Sequence, residues 1–243
     1  MTIRLSKRAV ICTLATILCQ FANSADAFVV DSYMDGNETL YLKWGDNHAG
    51  SLGGTVTWSF IPAGTPGSTT YCASACPGTS VDSVNIENFP GGGFTATPLT
   101  SLESHIIAMM DRWAAVSGIQ FVKEDSDSGV AINDPGAAPP ATGQIRIGVF
   151  AFDGDGYAGV GYAPPPNGGT GAGDILINAN AYFQFAPGNE GDAFDQTNAP
   201  NDFDSLILHE LGHAIGLEHP PYDGTCPVMQ VYSDCLGHIN REL

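Results

Sequence analysis

Two histidines and a glutamate lie close together in a segment that the sequence predicts to be helical. In residues 201–219, which read NDFDSLILHELGHAIGLEH, His209 and His213 stand four positions apart. Residues with this spacing lie on the same face of a helix, so both imidazoles can reach one metal ion. Glu210 adjoins the first histidine, where its carboxylate could hold a water molecule beside that metal. The pattern therefore indicates metal-assisted hydrolysis.

A third histidine follows this helix. Gly216 comes three residues after His213, and glycine lets a helix end sharply because it adopts positive φ without a steric penalty. The chain can then bring His219 back to the same ion. Three neutral imidazoles leave a fourth position open for water, which is typical of a catalytic zinc site. The alternative is a histidine-rich surface helix without a metal, although the other histidines are scattered at His48, His105 and His238.

Short strands and two amphipathic helices must position these side chains. Asn201 or Asp202 is expected to cap the helix that carries the histidines. A second helix is predicted over 100–116, where capping-box spacing precedes an apolar stripe made of Ile106, Met109, Met110, Trp113 and Val116. Alternation of Val56, Trp58 and Phe60 predicts a strand at 54–60, and further strands are predicted at 119–122, 145–150 and 174–177. Together these elements predict an α+β fold.

The composition excludes several classes of protein. The chain has 243 residues, of which 43% are hydrophobic and only 14% charged, with 30 glycines and 16 prolines. These values argue against a disordered chain and against a long coiled coil. A formal net charge of −18 argues against a nucleic-acid partner. Residues 62–99 are rich in Gly, Pro, Ser and Thr and are interpreted as a long surface insertion within a single domain.

The first 27 residues have the pattern of a secretory signal peptide. Basic residues at positions 4, 7 and 8 precede an apolar run, and Ala25-Asp26-Ala27 has the small-x-small pattern of a cleavage site. The alternative is an uncleaved N-terminal anchor. We expect a secreted, extracellular protein whose mature domain covers residues 28–243 and does not bind a membrane once the signal is removed.

Four cysteines remain after removal of the signal, and an even number suits an oxidising compartment. Proximity in the sequence favours the pairs Cys72–Cys76 and Cys226–Cys235, among three possible pairings. The alternative interpretation is a zinc site made of four thiolates. The unequal spacing of the two pairs makes disulfides the preferred prediction.

The segment His209-Glu210-x-x-His213-x-x-Gly216-x-x-His219 resembles the zinc signature of the metzincin clan of metalloproteases. Met229, ten residues past the third histidine, stands where the clan has its Met-turn. The chain is most similar to the matrixins, especially short bacterial ones, over about residues 40–235. Pro220 resembles the serralysins instead, so a serralysin-like peptidase is an alternative.

The resemblance implies a fold and an activity. The expected fold is a twisted, mostly parallel sheet with an antiparallel edge strand, two long helices and a short C-terminal subdomain. The expected activity is hydrolysis of internal peptide bonds by a zinc-activated water, with Glu210 as general base and His209, His213 and His219 as zinc ligands. A protein or peptide substrate would lie along the edge strand near residues 159–163, and the enzyme is expected to be a monomer. The alternatives are a secreted zinc-binding module without proteolytic activity and a zinc amidase acting on cell-wall peptide.

The chain also departs from the matrixin pattern. Matrixins hold a second, structural zinc, but residues 159–163 and 173–178 contain no histidine, so that site is expected to be absent. Asp153, Asp155 and Asp174 resemble ligands of the family's calcium loop, and the alternative is an Asx-turn held by local hydrogen bonds. The sequence stops at Leu243, where the last helix of a matrixin domain would begin, which suggests a minimal or truncated domain.

Overall fold

The computed structural model of the protein describes residues 29–67, 83, 99–132, 143–152, 158–166, 169–179, 181, 183–185 and 201–219. Several predictions fall outside these ranges: the signal segment 1–27, both cysteine pairs, Asp153, Asp155 and Met229. Within the described ranges, no helix is long and apolar enough to cross a membrane.

The described part of the chain contains two α-helices, eleven short strands and one 3₁₀ helix at Gly169–Gly171. The helices are α1 (Leu99–Ser117) and α2 (Phe203–Ala214). The strands are, in chain order, β1 (Val29–Val30), β2 (Ser32–Asp35), β3 (Glu38–Tyr41), β4 (Thr55–Phe60), β5 (Gln120–Lys123), β6 (Ile145–Phe150), β7 (Gly159–Gly161), β8 (Ile175–Asn178), β9 (Phe183–Gln184), β10 (Asn201–Asp202) and β11 (Leu217–Glu218).

The central sheet has five strands in the order β5-β4-β6-β8-β7. The first four strands run parallel to one another, and β7 lies antiparallel to β8 at one edge. Three two-stranded pairs lie outside this sheet: β1 with β11, β2 with β3, and β9 with β10. The prediction of an α+β fold with a mostly parallel sheet, an antiparallel edge strand and two helices is therefore confirmed for the described residues.

Both helices pack on one face of the sheet. In β6, all six residues are buried, and Ile145, Ile147 and Val149 join the core that contains the helices, because alternate strand residues point to the same face. The stripe predicted on α1 supplies Ile106, Met109, Met110 and Trp113 to that core. Val116, which the helical spacing also placed in the stripe, is 58% exposed and lies near the end of the helix.

The opposite face of the sheet contains a charged side chain in a buried position. Arg146, in the middle of β6, has no exposed surface. Its Nε and Nη2 atoms donate to the two carboxylate oxygens of Asp174 at 3.1 and 2.6 Å. Further bonds of 2.8 Å run from Nη1 to the carbonyl of Val130 and from Nη2 to that of Thr170. The Asp127 carboxylate lies 3.8 Å from Nη1.

This ion pair gives Asp174 a partner within the protein, whereas the sequence predicts it as a possible calcium ligand together with Asp153 and Asp155. Asp153 and Asp155 lie outside the described residues, so the calcium site stays a prediction. The carboxylate of Asp174 is fully buried, and Arg146 donates a hydrogen bond to each of its two oxygens. A bidentate guanidinium already supplies the positive charge that a calcium ion would provide, and it repels a second cation. The described Asp174 is therefore the partner of a buried arginine that joins residues 127–130 to residues 170–174.

We expect the substitution Arg146→Met to destabilise the protein strongly. It leaves the buried carboxylate of Asp174 without a counter-charge and removes hydrogen bonds to two carbonyls, a loss of about 3–5 kcal/mol in the free energy of unfolding. The measurement is urea unfolding followed by circular dichroism.

The control for this prediction is Lys123→Met, which removes a partly exposed ion pair of 2.8 Å with Glu103. That change should cost about 1 kcal/mol or less. Equal effects of the two substitutions would contradict the role given to the Arg146 ion pair.

Candidate metal centre

Helix α2 begins at a capped N-terminus. The side chain of Asp202 accepts hydrogen bonds from the backbone N–H of Ser205 at 3.1 Å and from its hydroxyl at 2.6 Å. The prediction that Asn201 or Asp202 caps the helix is thus confirmed for Asp202. This bond satisfies one of the unpaired N–H groups of the first turn. The start of the histidine-bearing helix is fixed in this way.

The turn that follows the helix requires a glycine at position 216. Gly216 has φ of +105°, and a Cβ atom built on it would lie 1.7 Å from the carbonyl oxygen of Leu42. Its own N–H donates to the His213 carbonyl at 2.9 Å, which closes the last turn. The chain then reverses into β11 and reaches His219. The turn predicted from the spacing of Gly216 is therefore present, and contact with a distant segment enforces it.

The three predicted histidines come together at one point. The Nε2 atoms of His213 and His219 are 3.0 Å apart, and those of His219 and His209 are 3.2 Å apart. Their ligand atoms all lie within 4.8 Å of one another. Tetrahedral coordination with Zn–N bonds of about 2.0–2.1 Å places two ligand nitrogens roughly 3.3 Å apart. The donor set and its spacing therefore fit a zinc ion.

The surroundings of these imidazoles favour the neutral form that binds metal. Burial lowers the pKa of His213, and burial together with the nearby His213 lowers the pKa of His219 to about 4. The Nδ1 atom of His213 lies 2.8 Å from the carbonyl oxygen of Leu217. Since a carbonyl only accepts hydrogen bonds, Nδ1 carries the proton, and Nε2 keeps a lone pair directed at the other two rings.

Glu210 lies beside the histidines in a dry environment. The residue is 5% exposed, and burial raises the pKa of its carboxyl group to about 8. The backbone N–H of Gly161 donates a hydrogen bond to this carboxyl group, which acts in the opposite direction and lowers its pKa. A cation bound by the neighbouring imidazoles would favour the ionised form. This hydrogen bond connects the side chain of Glu210, on α2, to the edge strand β7.

Close packing brings β7 and α2 together, and it depends on glycine. A Cβ atom on Gly161 would lie 2.4 Å from the carbonyl oxygen of Glu210, and one on Gly159 would lie 3.3 Å from the side chain of Leu206. The family resemblance predicts a substrate-binding edge strand here, but the close contact between the two backbones is not predicted by the sequence. Alternating glycines in a short strand are the signal that could have indicated it.

Two tryptophans also donate hydrogen bonds to carbonyl groups of α2, a role that the sequence does not predict for either of them. The indole N–H of Trp113 donates to the carbonyl of Leu208 at 2.8 Å, and that of Trp44 donates to the carbonyl of Ala214 at 2.8 Å. Trp113 was predicted only as a core residue. Both tryptophans are buried, so each indole N–H needs a partner within the protein.

Comparison with known proteins gives one partial similarity. No family model matches the chain. Over 68 residues it is 38% identical to a protein of Spodoptera frugiperda ascovirus 1a that carries the description "Putative matrix metalloproteinase". The match covers 28% of this chain and 17% of the viral protein. The similarity is thus to a matrixin-like protein, over about a quarter of the chain.

Proposed function

We propose that the protein is a zinc-dependent endopeptidase of the metzincin type, most similar to the matrixins. The observation that carries this proposal is the convergence of three imidazole Nε2 atoms, 3.0 and 3.2 Å apart, beside a buried glutamate. The sheet order β5-β4-β6-β8-β7 and the partial similarity to a matrixin-like protein support it.

His209, His213 and His219 would hold the zinc ion. When bound, zinc supplies a Lewis acid that polarises a carbonyl group and lowers the pKa of a water molecule. The three residues come from two elements: the first two project from α2, and the third follows β11. Three protein ligands leave one coordination position for reactants, which distinguishes this donor set from a closed structural site.

Glu210 is proposed as the proton carrier. A carboxylate oxygen takes a proton from the attacking water and then delivers it to the nitrogen of the leaving amine. Burial raises the pKa of this carboxyl group, and the charge of a bound zinc ion would oppose that rise. The group would therefore be ionised when it accepts the proton, and it would hold the proton between the two transfers more readily than an exposed glutamate does. The hydrogen bond from the backbone N–H of Gly161 would keep the Glu210 carboxyl group in one orientation during catalysis.

The proposed substrate is a protein or peptide in extended conformation. Strand β7 is the terminal strand of the central sheet, and it packs against α2 beside Glu210. A peptide chain that pairs with such an edge gains main-chain hydrogen bonds that do not depend on its sequence. Its scissile bond would then lie near the three histidines.

We also propose that the enzyme acts outside the cell. The support is in the sequence: a basic start, an apolar run and a small-x-small pattern in residues 1–27. An exported enzyme would also be expected to pair its remaining cysteines.

The substitution Glu210→Gln is expected to abolish proteolysis and to retain the metal. The purified wild-type protein should contain about one zinc per chain, and the variant should contain the same amount, because its three imidazoles are unchanged. Cleavage of casein should fall by about 10²–10⁴-fold, which is the usual contribution of a general base.

The control for this experiment is Glu103→Gln on the surface of α1, which should leave both the zinc content and the cleavage rate unchanged. A Glu210→Gln variant that cleaves casein at the wild-type rate would contradict the proposed role. A zinc-loaded wild-type protein without any cleavage would favour a binding module.

The substitution Gly161→Ala is expected to impair catalysis without removing the metal. Its Cβ atom would lie 2.4 Å from the Glu210 carbonyl, so β7 has to move away from α2. We expect kcat/KM to fall by roughly tenfold or more, because a displacement of about 1 Å at a reacting group can cost 10²-fold. Zinc content should stay at the wild-type value.

Gly54→Ala is the matched control, because a Cβ atom at Gly54 has no neighbour within 4 Å. Both variants are assayed below their unfolding temperatures. Wild-type kcat/KM in Gly161→Ala would show that the close approach of β7 has no part in catalysis.

A further inference from the structure

The segment from Val29 to Trp44, here called the N-terminal strap, contacts the end of α2 at several points. It contains β1, the β2–β3 hairpin and the residues that return from the hairpin to the helix. Its contacts all fall on residues 214–218, between the second and the third histidine. None of the strap residues belongs to the proposed ligand set.

The first contact caps the helix. The indole Nε1 of Trp44 donates to the carbonyl oxygen of Ala214 at 2.8 Å, and Trp44 is 6% exposed. Ala214 is the last residue of α2, where the helix itself provides no partner for the carbonyl. The indole ring of Trp44 also packs closely against Gly173, where a Cβ atom would lie 2.4 Å from the Cζ2 atom of the ring.

The second contact encloses the glycine turn. The backbone N–H of Asp31 donates to the carbonyl of Gly216 at 3.1 Å, and the Asp31 carbonyl accepts from the N–H of Leu42 at 2.9 Å. The Leu42 carbonyl lies against the α-carbon of Gly216. Both faces of the turn are therefore in contact with the strap.

The third contact holds the strand that precedes His219. In the antiparallel pair of β1 and β11, Val30 lies opposite Leu217 and Val29 lies opposite Glu218. The Leu217 carbonyl is the group that fixes the ring of His213 through Nδ1. A shift of β11 would therefore displace two of the three imidazoles, while His209 would stay with the body of the helix.

We infer that the N-terminal strap is a positioning element for the metal centre, with Trp44 and the backbone N–H of Asp31 as its positioning groups. The strap orders residues 214–218 before metal arrives, so that the third imidazole does not have to be ordered on binding. Ligands that are already ordered bind a metal ion more tightly, because the entropy cost of ordering them has been met during folding. The inference rests on the proposed zinc site and concerns its affinity.

The test compares two tryptophan substitutions in the full chain. Trp44→Phe keeps most of the ring and removes the hydrogen bond to Ala214. Trp113→Phe is the matched control, because it removes a hydrogen bond of the same length to the same helix. Its acceptor, the Leu208 carbonyl, lies within the helix, where the hydrogen bonds of the helix backbone keep it in position. Zinc affinity is measured by competition with a chromophoric chelator, and thermal unfolding is followed on the metal-free proteins.

We expect both substitutions to lower Tm by about 2–5 °C, since each loses one buried hydrogen bond. Only Trp44→Phe should weaken zinc binding, by about 10–100-fold, which is the usual effect of losing a group that orients a ligand. Its Co²⁺-loaded form should also show an altered visible spectrum, because that spectrum responds to the geometry of the ligands. Trp113→Phe should bind zinc within about twofold of the wild type.

A second variant covers the case in which Trp44→Phe does not fold. Asp31→Pro removes the N–H that binds the Gly216 carbonyl, and Val30 before it is already in a strand, as proline requires of its predecessor. It should also weaken zinc binding about tenfold or more. Equal zinc affinity in the wild type, Trp44→Phe and Asp31→Pro would overturn the inference. A wild-type protein that binds no zinc would instead overturn the proposed function.

Discussion

The candidate metal centre depends on the point at which α2 ends. Two imidazoles can share one helix face, but a third donor has to come from chain that has left the helix and turned back within a few residues. Gly216 makes this reversal with φ of +105° against the carbonyl of Leu42, in a space that no Cβ atom could enter. One helical residue more or less before this turn would rotate His219 away from the other two rings, because each residue of an α-helix turns the chain by about 100°.

Burial of α2 then determines the chemical state of its polar side chains. Of its twelve residues, ten are buried, and this desolvation acts in opposite directions on the two kinds of group. Burial lowers the pKa of His213 in the helix and raises that of Glu210, and beyond the helix burial together with the nearby His213 lowers the pKa of His219. Neutral imidazoles are the forms that bind metal, and a carboxyl group with a raised pKa is one that exchanges protons near neutral pH. Burial in this region therefore favours the neutral forms of the two histidines and of the glutamate.

The parts of the structure that could be predicted are those whose signals are local. Alternation of Val56, Trp58 and Phe60 predicted β4, and helical spacing predicted α1 and the histidine face of α2. The two-residue strands β1 and β11 could not be predicted, because each is defined by a partner almost the whole described chain away. For the same reason, nothing near Trp44 indicated that its indole would reach Ala214. The ion pair of Asp174 has a local signal on one side only, namely one arginine in the otherwise uncharged strand IRIGVF.

The pairing of β1 with β11 has a consequence for the order in which the protein can assemble. Val29 and Val30 are among the first residues that the structure describes, and their partners Leu217 and Glu218 are among the last. Contacts between such distant segments form late in folding, because the intervening chain has to be arranged first. The α2 segment can become helical as soon as it emerges from the ribosome, but residues 217–218 gain their strand partner only when the two distant segments meet. The pairing thus makes the final placement of His219, one of the three candidate metal ligands, depend on residues 29–30 at the other end of the described chain.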